Sequence, residues 1–424
     1  MARKDLDVVI VGGGIGGVTL GLMLHRAGIR SRIFEAVAEM KPLGVGINIL
    51  PHSSRELGAL GLEQALAARA VTTRESAFYN RYGQLIYCEP TGRFAGYEWP
   101  QFSIHRGDLH TVLLDAFAER VGADNLHTGW RCVGVEQEAG GATVHFEDAP
   151  GGGGRPPQRA DIVIDCSGIH SVLRKQLYPH EGKPRYSGIN MWRGATRAKP
   201  FLSGATMVRL GWFDTAKMLI YPIRDNVDGD GNQLINWVVD VATERYLERR
   251  DWNRPGRIED FFDRIADWTF DWLDVPDLCR RADFILEFPM VDQDPLPRWS
   301  FGRLTLLGDA AHPMYPRGAN GSAQAILDAR TLSDCLASIA DPVAALKAYE
   351  AQRLPVTSRI VLTNRESPPD AILKEVWRRT GDKPFTRIED VITHEELVGL
   401  SRSYEKVAGY DKETLAAGAA AAVR

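Results

Sequence analysis

The sequence lacks what a membrane, a nucleic acid or an oxidising compartment would ask of it. No apolar run approaches the ~20 residues that a spanning helix needs. The opening MARKDLDVVIVGGGIGG starts charged and turns apolar like a secretory leader, but glycines cut the apolar run short and no small-residue cleavage site follows. Long runs of Lys or Arg are missing and the formal net charge is −4, which argues against nucleic acid or an anionic membrane as partner. Cysteine is scarce: Cys88, Cys132, Cys166, Cys279 and Cys335 are odd in number and form no CxxC pair. That excludes a disulfide framework or a zinc site and fits a reducing, cytoplasmic setting. Hydrolase signatures are missing too, with no GxSxG, no HExxH and ten dispersed histidines. The stretch Asn226, Asp228, Asp230, Gly231 has the spacing of a calcium loop, but its twelfth position is Trp237 and strands flank it, so no metal is expected.

What is present is organised around glycine. At 424 residues the chain is too long for one ordinary core, and two or three domains are expected. Leu6 to Val11 is an apolar run of the kind buried on both faces of a sheet. It leads into Gly12-Gly13-Gly14-Ile15-Gly16-Gly17, then a helical stretch ending near Gly28. Gly12, Gly14 and Gly17 satisfy G-x-G-x-x-G: they allow the tight turn, a close approach of backbone to a pyrophosphate, and helix–strand packing. A second strand ends in Glu35, placed to accept hydrogen bonds from an adenosine ribose. Strand, glycines, helix, strand and acid in register predict a bound dinucleotide, NAD or FAD.

A second glycine-rich segment, GDAAHPMYPRGANG from Gly308 to Gly321, follows the apolar Leu304 to Leu307. Helical periodicity begins near Ser322, with Ile326, Ala329, Leu332, Cys335, Leu336 and Ile339 at spacings of three and four. The loop Pro316 to Gly321 therefore aims a helix N-terminus above the sheet, a place for negative charge. His312 reads as a structural hydrogen-bonder beside that loop.

Together with CSGIHSVLR (Cys166 to Arg174), these two motifs resemble the three fingerprints of the class A FAD-dependent aromatic hydroxylases, which have the para-hydroxybenzoate hydroxylase fold. The likeness runs to about residue 365. Segments such as SIHRGDLH, MWRGAT and FPMVDQDPLPRW resemble the phenazine-carboxylate monooxygenase of pyocyanin biosynthesis. The resemblance implies an α/β + β architecture: a Rossmann-like FAD-binding domain (1–77, 100–185, 286–345), an inserted mixed-sheet substrate domain (78–99, 186–285) and a C-terminal helical segment (346–424), a cap or oligomer contact. It implies FAD at Gly12, Gly14, Gly17, Glu35, Arg106, Asp309 and Gly321. The flavin loop, with Pro316, Gly318 and Asn320, would serve catalysis. Substrate would contact Trp192, Arg193, Tyr221, Arg224, Trp237 and Tyr315, the arginines holding a carboxylate and the aromatics stacking on a ring.

The reaction so implied uses NAD(P)H and O₂ and proceeds through a flavin C4a-hydroperoxide to hydroxylate a phenazine-like or hydroxybenzoate-like carboxylate. A small aromatic would be the partner and a homodimer the candidate assembly. One departure stands out. Relatives carry Asp-Gly where this chain has Ser167-Gly168, with Asp165 two positions earlier. The family's aspartate is tied to FAD and to the nicotinamide donor, so the serine favours the alternative of a flavoprotein with another reductant or none. A halogenase of this fold needs a lysine near W-x-W-x-I-P, which this sequence lacks.

Overall fold

The structure is a computed structural model and describes residues 5–41, 44–149, 152–244, 254–366 and 370–416. Pro368, Pro369 and residues 417–424 lie outside these residues. The first layer grows from the apolar run before the glycine loop. Asp7–Val11 lies between Ile162–Asp165 and Arg30–Glu35, parallel to both. Leu304–Leu306 and Leu126–Thr128 extend the sheet on either side, also parallel, and the short Ser300–Phe301 ends it antiparallel. Val8 and Ile10 enter one core with Leu20 and Leu24 of the first helix (Ile15–Arg26) and with Leu332 and Leu336. Val9 and Val11 enter another with Val144, Phe146 and Leu173. Both faces are covered, which is why the strand reads as an unbroken apolar run.

A three-stranded antiparallel sheet, Trp130–Glu138, Gly141–Asp148 and Gly154–Ala160, supplies that second cover. By its glycines and prolines the stretch 147–161 reads as a turn or flexible loop, but Gly154–Ala160 forms the last strand of this sheet. Pro156 and Pro157 sit on the edge strand, where a missing N–H breaks no ladder.

The roof is a mixed sheet of seven strands in the order Ile285–Asp292, Arg185–Ala198, Gln233–Ala242, Ala216–Arg224, Thr206–Trp212, Glu75–Tyr79 and Leu85–Pro90. A hairpin joins Ala216–Arg224 to Gln233–Ala242 through 225–232. Strand alternation sends Trp192, Ile220, Trp237 and Val239 to the back, into an aromatic core with Phe261 and Trp268. Met191, Leu219, Tyr221 and Val238 go to the front, towards the flavin loop. The C-terminal helices, Ala371–Thr380 and His394–Ala408, lay Ile372, Leu373, Val376 and Leu397 against Phe78 and Ile86 at the roof's edge.

Candidate active site

The glycine turn is shaped by its neighbours. Gly12 has φ +102°, and a Cβ there would stand 2.6 Å from the Cys166 carbonyl oxygen. A Cβ on Gly17 would overlap the Gly12 carbonyl oxygen. At Gly14 a Cβ would meet nothing within 4 Å, so the turn is open on the side of the first helix's N-terminus. Glu35 reaches back under this turn, accepting from Gly13 N–H at 2.7 Å and from Val37 N–H at 2.9 Å.

The other predicted cofactor residues converge on the same place. His110, one turn along the helix Arg106–Phe117, lies 2.7 Å from the Gly13 carbonyl oxygen. Arg106 and Asp309 are exposed at their tips, yet the surrounding protein disfavours charge on both. Burial holds the Arg106 pKa below its usual value, with Arg193 adding to this and Asp309 opposing it. Burial likewise pushes the Asp309 carboxyl up. Asp309 Oδ1 faces Gly321 in the first turn of the helix Asn320–Ser338, 3.9 Å from where a Cβ would be. Glycine turn, Glu35, helix N-termini and the Arg106–Asp309 pair thus lie close together, and these residues fit FAD.

The third motif braces this region. Asp165 is fully buried and accepts from Ser167 N–H at 3.0 Å, from Ser167 Oγ at 2.5 Å and from the Ser171 hydroxyl. Burial, opposed by those hydrogen bonds, leaves the Asp165 pKa raised. Arg174 then ties the segment to the GD turn, donating to the carbonyls of Ala310 and Ala311 at 2.9 Å. Ser167 is therefore a partner of a buried acid, and a second carboxylate at this position would stand against the first. His312 is structural, as read: Nε2 lies 2.6 Å from Asp328, whose other oxygen accepts from Arg353 at 2.7 Å.

On the roof, the structure brings together only some of the predicted substrate residues. Arg193 and Tyr221 share the front face. Arg193 Nη2 donates to the Gly46 carbonyl at 3.3 Å, while Asn236 Oδ1 accepts from Gly46 N–H at 2.7 Å. Arg193 Nε and Asn236 Nδ2 are buried donors with no hydrogen-bond partner among the described residues. Tyr315 closes an apolar strip with Met191, Val238, Phe288 and Met290.

Three expectations need correction. Trp192 and Trp237 point into the core behind the sheet, and Trp237 is wholly buried with its Nε1 on Thr196 at 3.1 Å. Register explains it: Arg193 lies opposite Val238 and Gly194 opposite Trp237, so Arg193 and Trp237 must face opposite ways. Arg224 is taken by Asp108 of the helix Arg106–Phe117 at the sheet's end. Sequence reading missed Asn236, although Asn236, Val238 and Asp240 alternate on the same face as Arg193. It also missed Tyr404, which no periodicity marks.

The flavin loop bends sharply. Gly318 and Ala319 both have positive φ, +68° and +55°, before the helix begins at Asn320. Pro316 is exposed, whereas the Asn320 side chain is buried, turned away from solvent onto the Gly318 carbonyl and Tyr404.

This geometry fits an FAD-binding protein, and comparison with known proteins identifies it as an FAD-dependent oxidoreductase. The chain belongs to the family of the FAD binding domain, which matches residues 5–228 and 285–364. It is 44% identical over 405 residues to the phenazine 1,6-dicarboxylic acid hydroxylase PhzS of Lysobacter antibioticus, covering 95% of this chain and 97% of that one. It is 30% identical over 377 residues to the 3-hydroxybenzoate 6-hydroxylase of Polaromonas naphthalenivorans, covering 85% and 87%. The fold is shared with Klebsiella pneumoniae HpxO, solved with FAD and uric acid, at TM-score 0.72 and 23% identity over 97% of this chain and 95% of that one. The protein is a flavoprotein monooxygenase of the aromatic-hydroxylating kind, with FAD as cofactor and NAD(P)H as the reductant typical of its family. Among the described residues, no helix is long and apolar enough to cross a membrane.

Proposed function

We propose that this protein hydroxylates a flat, carboxylated aromatic of the phenazine class. The observation that carries the reading is the roof's front face: an apolar strip ending in Arg193, whose buried Nε has no partner among the described residues. An apolar ring fits such a strip, and a guanidinium with an unused Nε donor fits a carboxylate. The similarity to a phenazine dicarboxylate hydroxylase over nearly the whole chain supports it.

Bound FAD supplies the redox and oxygen chemistry. The chain's residues do the rest. Gly12, Gly14 and Gly17 admit the pyrophosphate, Glu35 takes the ribose, and Arg106, Asp309 and Gly321 line the approach to the ring. The N-terminus of the helix Asn320–Ser338, with Pro316 and Gly318 before it, directs its N–H groups at negative charge on the flavin. Arg193 fixes the substrate's carboxylate, Tyr221 and Tyr315 flank its ring, and the roof keeps bulk water from the reacting atoms. In this reading the FAD-binding layer and the roof are two domains, the roof taking in Glu75–Pro90 and 185–292. The chain works in the cytoplasm, and a homodimer is the proposed assembly. Anaerobic mixing with NADH or NADPH tests the substrate class: a phenazine carboxylate speeds bleaching of the flavin, whereas equal rates with unsubstituted phenazine would remove the role given to Arg193.

A further inference from the structure

The match to the FAD-binding family ends at residue 364, yet the flavin loop is held from beyond it. Tyr404 lies in the helix His394–Ala408, is 4% exposed, and places its hydroxyl in the bend of the loop. That oxygen accepts from Asn320 Nδ2 at 2.8 Å. Its proton goes to Asn364 Oδ1 at 2.8 Å, with the Arg317 carbonyl at 3.3 Å as a second acceptor. The ring lies so close to Gly318 that a Cβ there would overlap it. Gln324, in the next turn of the loop's helix, adds a bond from Nε2 to the Ala408 carbonyl at 3.4 Å.

The bend needs such a clasp. Gly318 and Ala319 are consecutive left-handed residues, and for alanine that conformation costs about 1 kcal/mol or more unless its surroundings impose it. At a helix start an asparagine side chain more often caps the backbone N–H groups that follow it. Here both ends of the amide are used inside the protein, on the Gly318 carbonyl, Tyr404 and Gln324.

We infer that Tyr404 is a positioning residue for the flavin: its hydroxyl clasps the Arg317–Asn320 bend and so sets where the N-terminal N–H groups of the helix Asn320–Ser338 point. The C-terminal helices are then working parts of the oxygenase. This rests on the proposed placement of that loop beside the isoalloxazine ring. Removing the hydroxyl lets the bend relax and weakens the stabilisation of negative charge on the flavin.

The test is Tyr404→Phe in the full-length holoprotein, with Ser403→Ala on the exposed side of the same helix as control. Two readouts need no substrate: hydrogen exchange of the amides of 317–321, and the flavin midpoint potential. In Tyr404→Phe the loop amides exchange faster, and the ratio of reduced to oxidised flavin at a fixed potential falls roughly fivefold. FAD content stays full and Ser403→Ala matches the parent in both. Unchanged exchange overturns the clasp. Faster exchange with an unmoved potential overturns its link to the flavin and, with it, the placement of the loop. Should Tyr404→Phe fail to fold, Asn320→Ala removes the bond between the bend and the same hydroxyl from the other side and must give the same two changes.

Discussion

Gly17→Ala yields protein purified without flavin and binding added FAD at least ~100-fold more weakly, the equivalent of about 3 kcal/mol. The added methyl would occupy the position of the Gly12 carbonyl oxygen, so the first turn of the helix must move off the strand that precedes it. Gly12 has little room to yield, because its own α-carbon is closed in by the Cys166 carbonyl. The thermal midpoint should therefore fall as well. Gly14→Ala separates the two effects. Apart from its chain neighbours, no atom of the described residues lies within 4 Å of a Cβ at Gly14, so its apoprotein melts with the parent's. It nonetheless loses FAD affinity, because the methyl stands where the pyrophosphate must approach. Titration of FAD into the two apoproteins, with their melting curves, checks both. Full FAD affinity in Gly14→Ala would place the cofactor elsewhere.

Arg193→Met raises KM for a carboxylated aromatic roughly 100-fold, in the range expected when a buried charge loses its partner (about 2–5 kcal/mol). Methionine keeps much of the stem that packs along the strip with Met191 and Val238, so the roof stays folded. The unsubstituted ring should bind variant and parent alike, because the apolar strip is untouched. Arg193 also acts on Arg106, whose charge it disfavours. Its removal lifts that repulsion from Arg106, so the variant should hold FAD no less firmly than the parent. Steady-state kinetics on matched carboxylated and uncarboxylated rings gives the answer. Equal losses on both would show that Arg193 supports the fold and does not read the carboxylate.

How far the sequence revealed this depends on how local each determinant is. The FAD cradle was legible because its causes lie close together: Gly12 and Gly17 are adjacent in space by virtue of one turn, and Glu35 ends the very next strand. The loop Pro316–Gly321 was legible for the same reason. The roof was legible as a sheet but not by face. Trp237 drew attention as an aromatic in an apolar strand, yet one position of parity separates it from Asn236, and parity was fixed by pairing with a strand some forty residues earlier. Arg224 had its charge in the expected strand, but Asp108, which claims it, is more than a hundred residues away. Tyr404 could not be found at all. Its partners are Arg317, Asn320 and Asn364, and nothing in a polar C-terminal helix announces them.

The most direct measurement of the central claim is product formation under ¹⁸O₂. Holoprotein, NADH or NADPH and a phenazine carboxylate are mixed, and the aromatic is analysed by mass spectrometry. The account predicts one ¹⁸O in a new ring hydroxyl for each NAD(P)H consumed. An unmodified aromatic, with all the label in peroxide or water for every carboxylate tried, would contradict it.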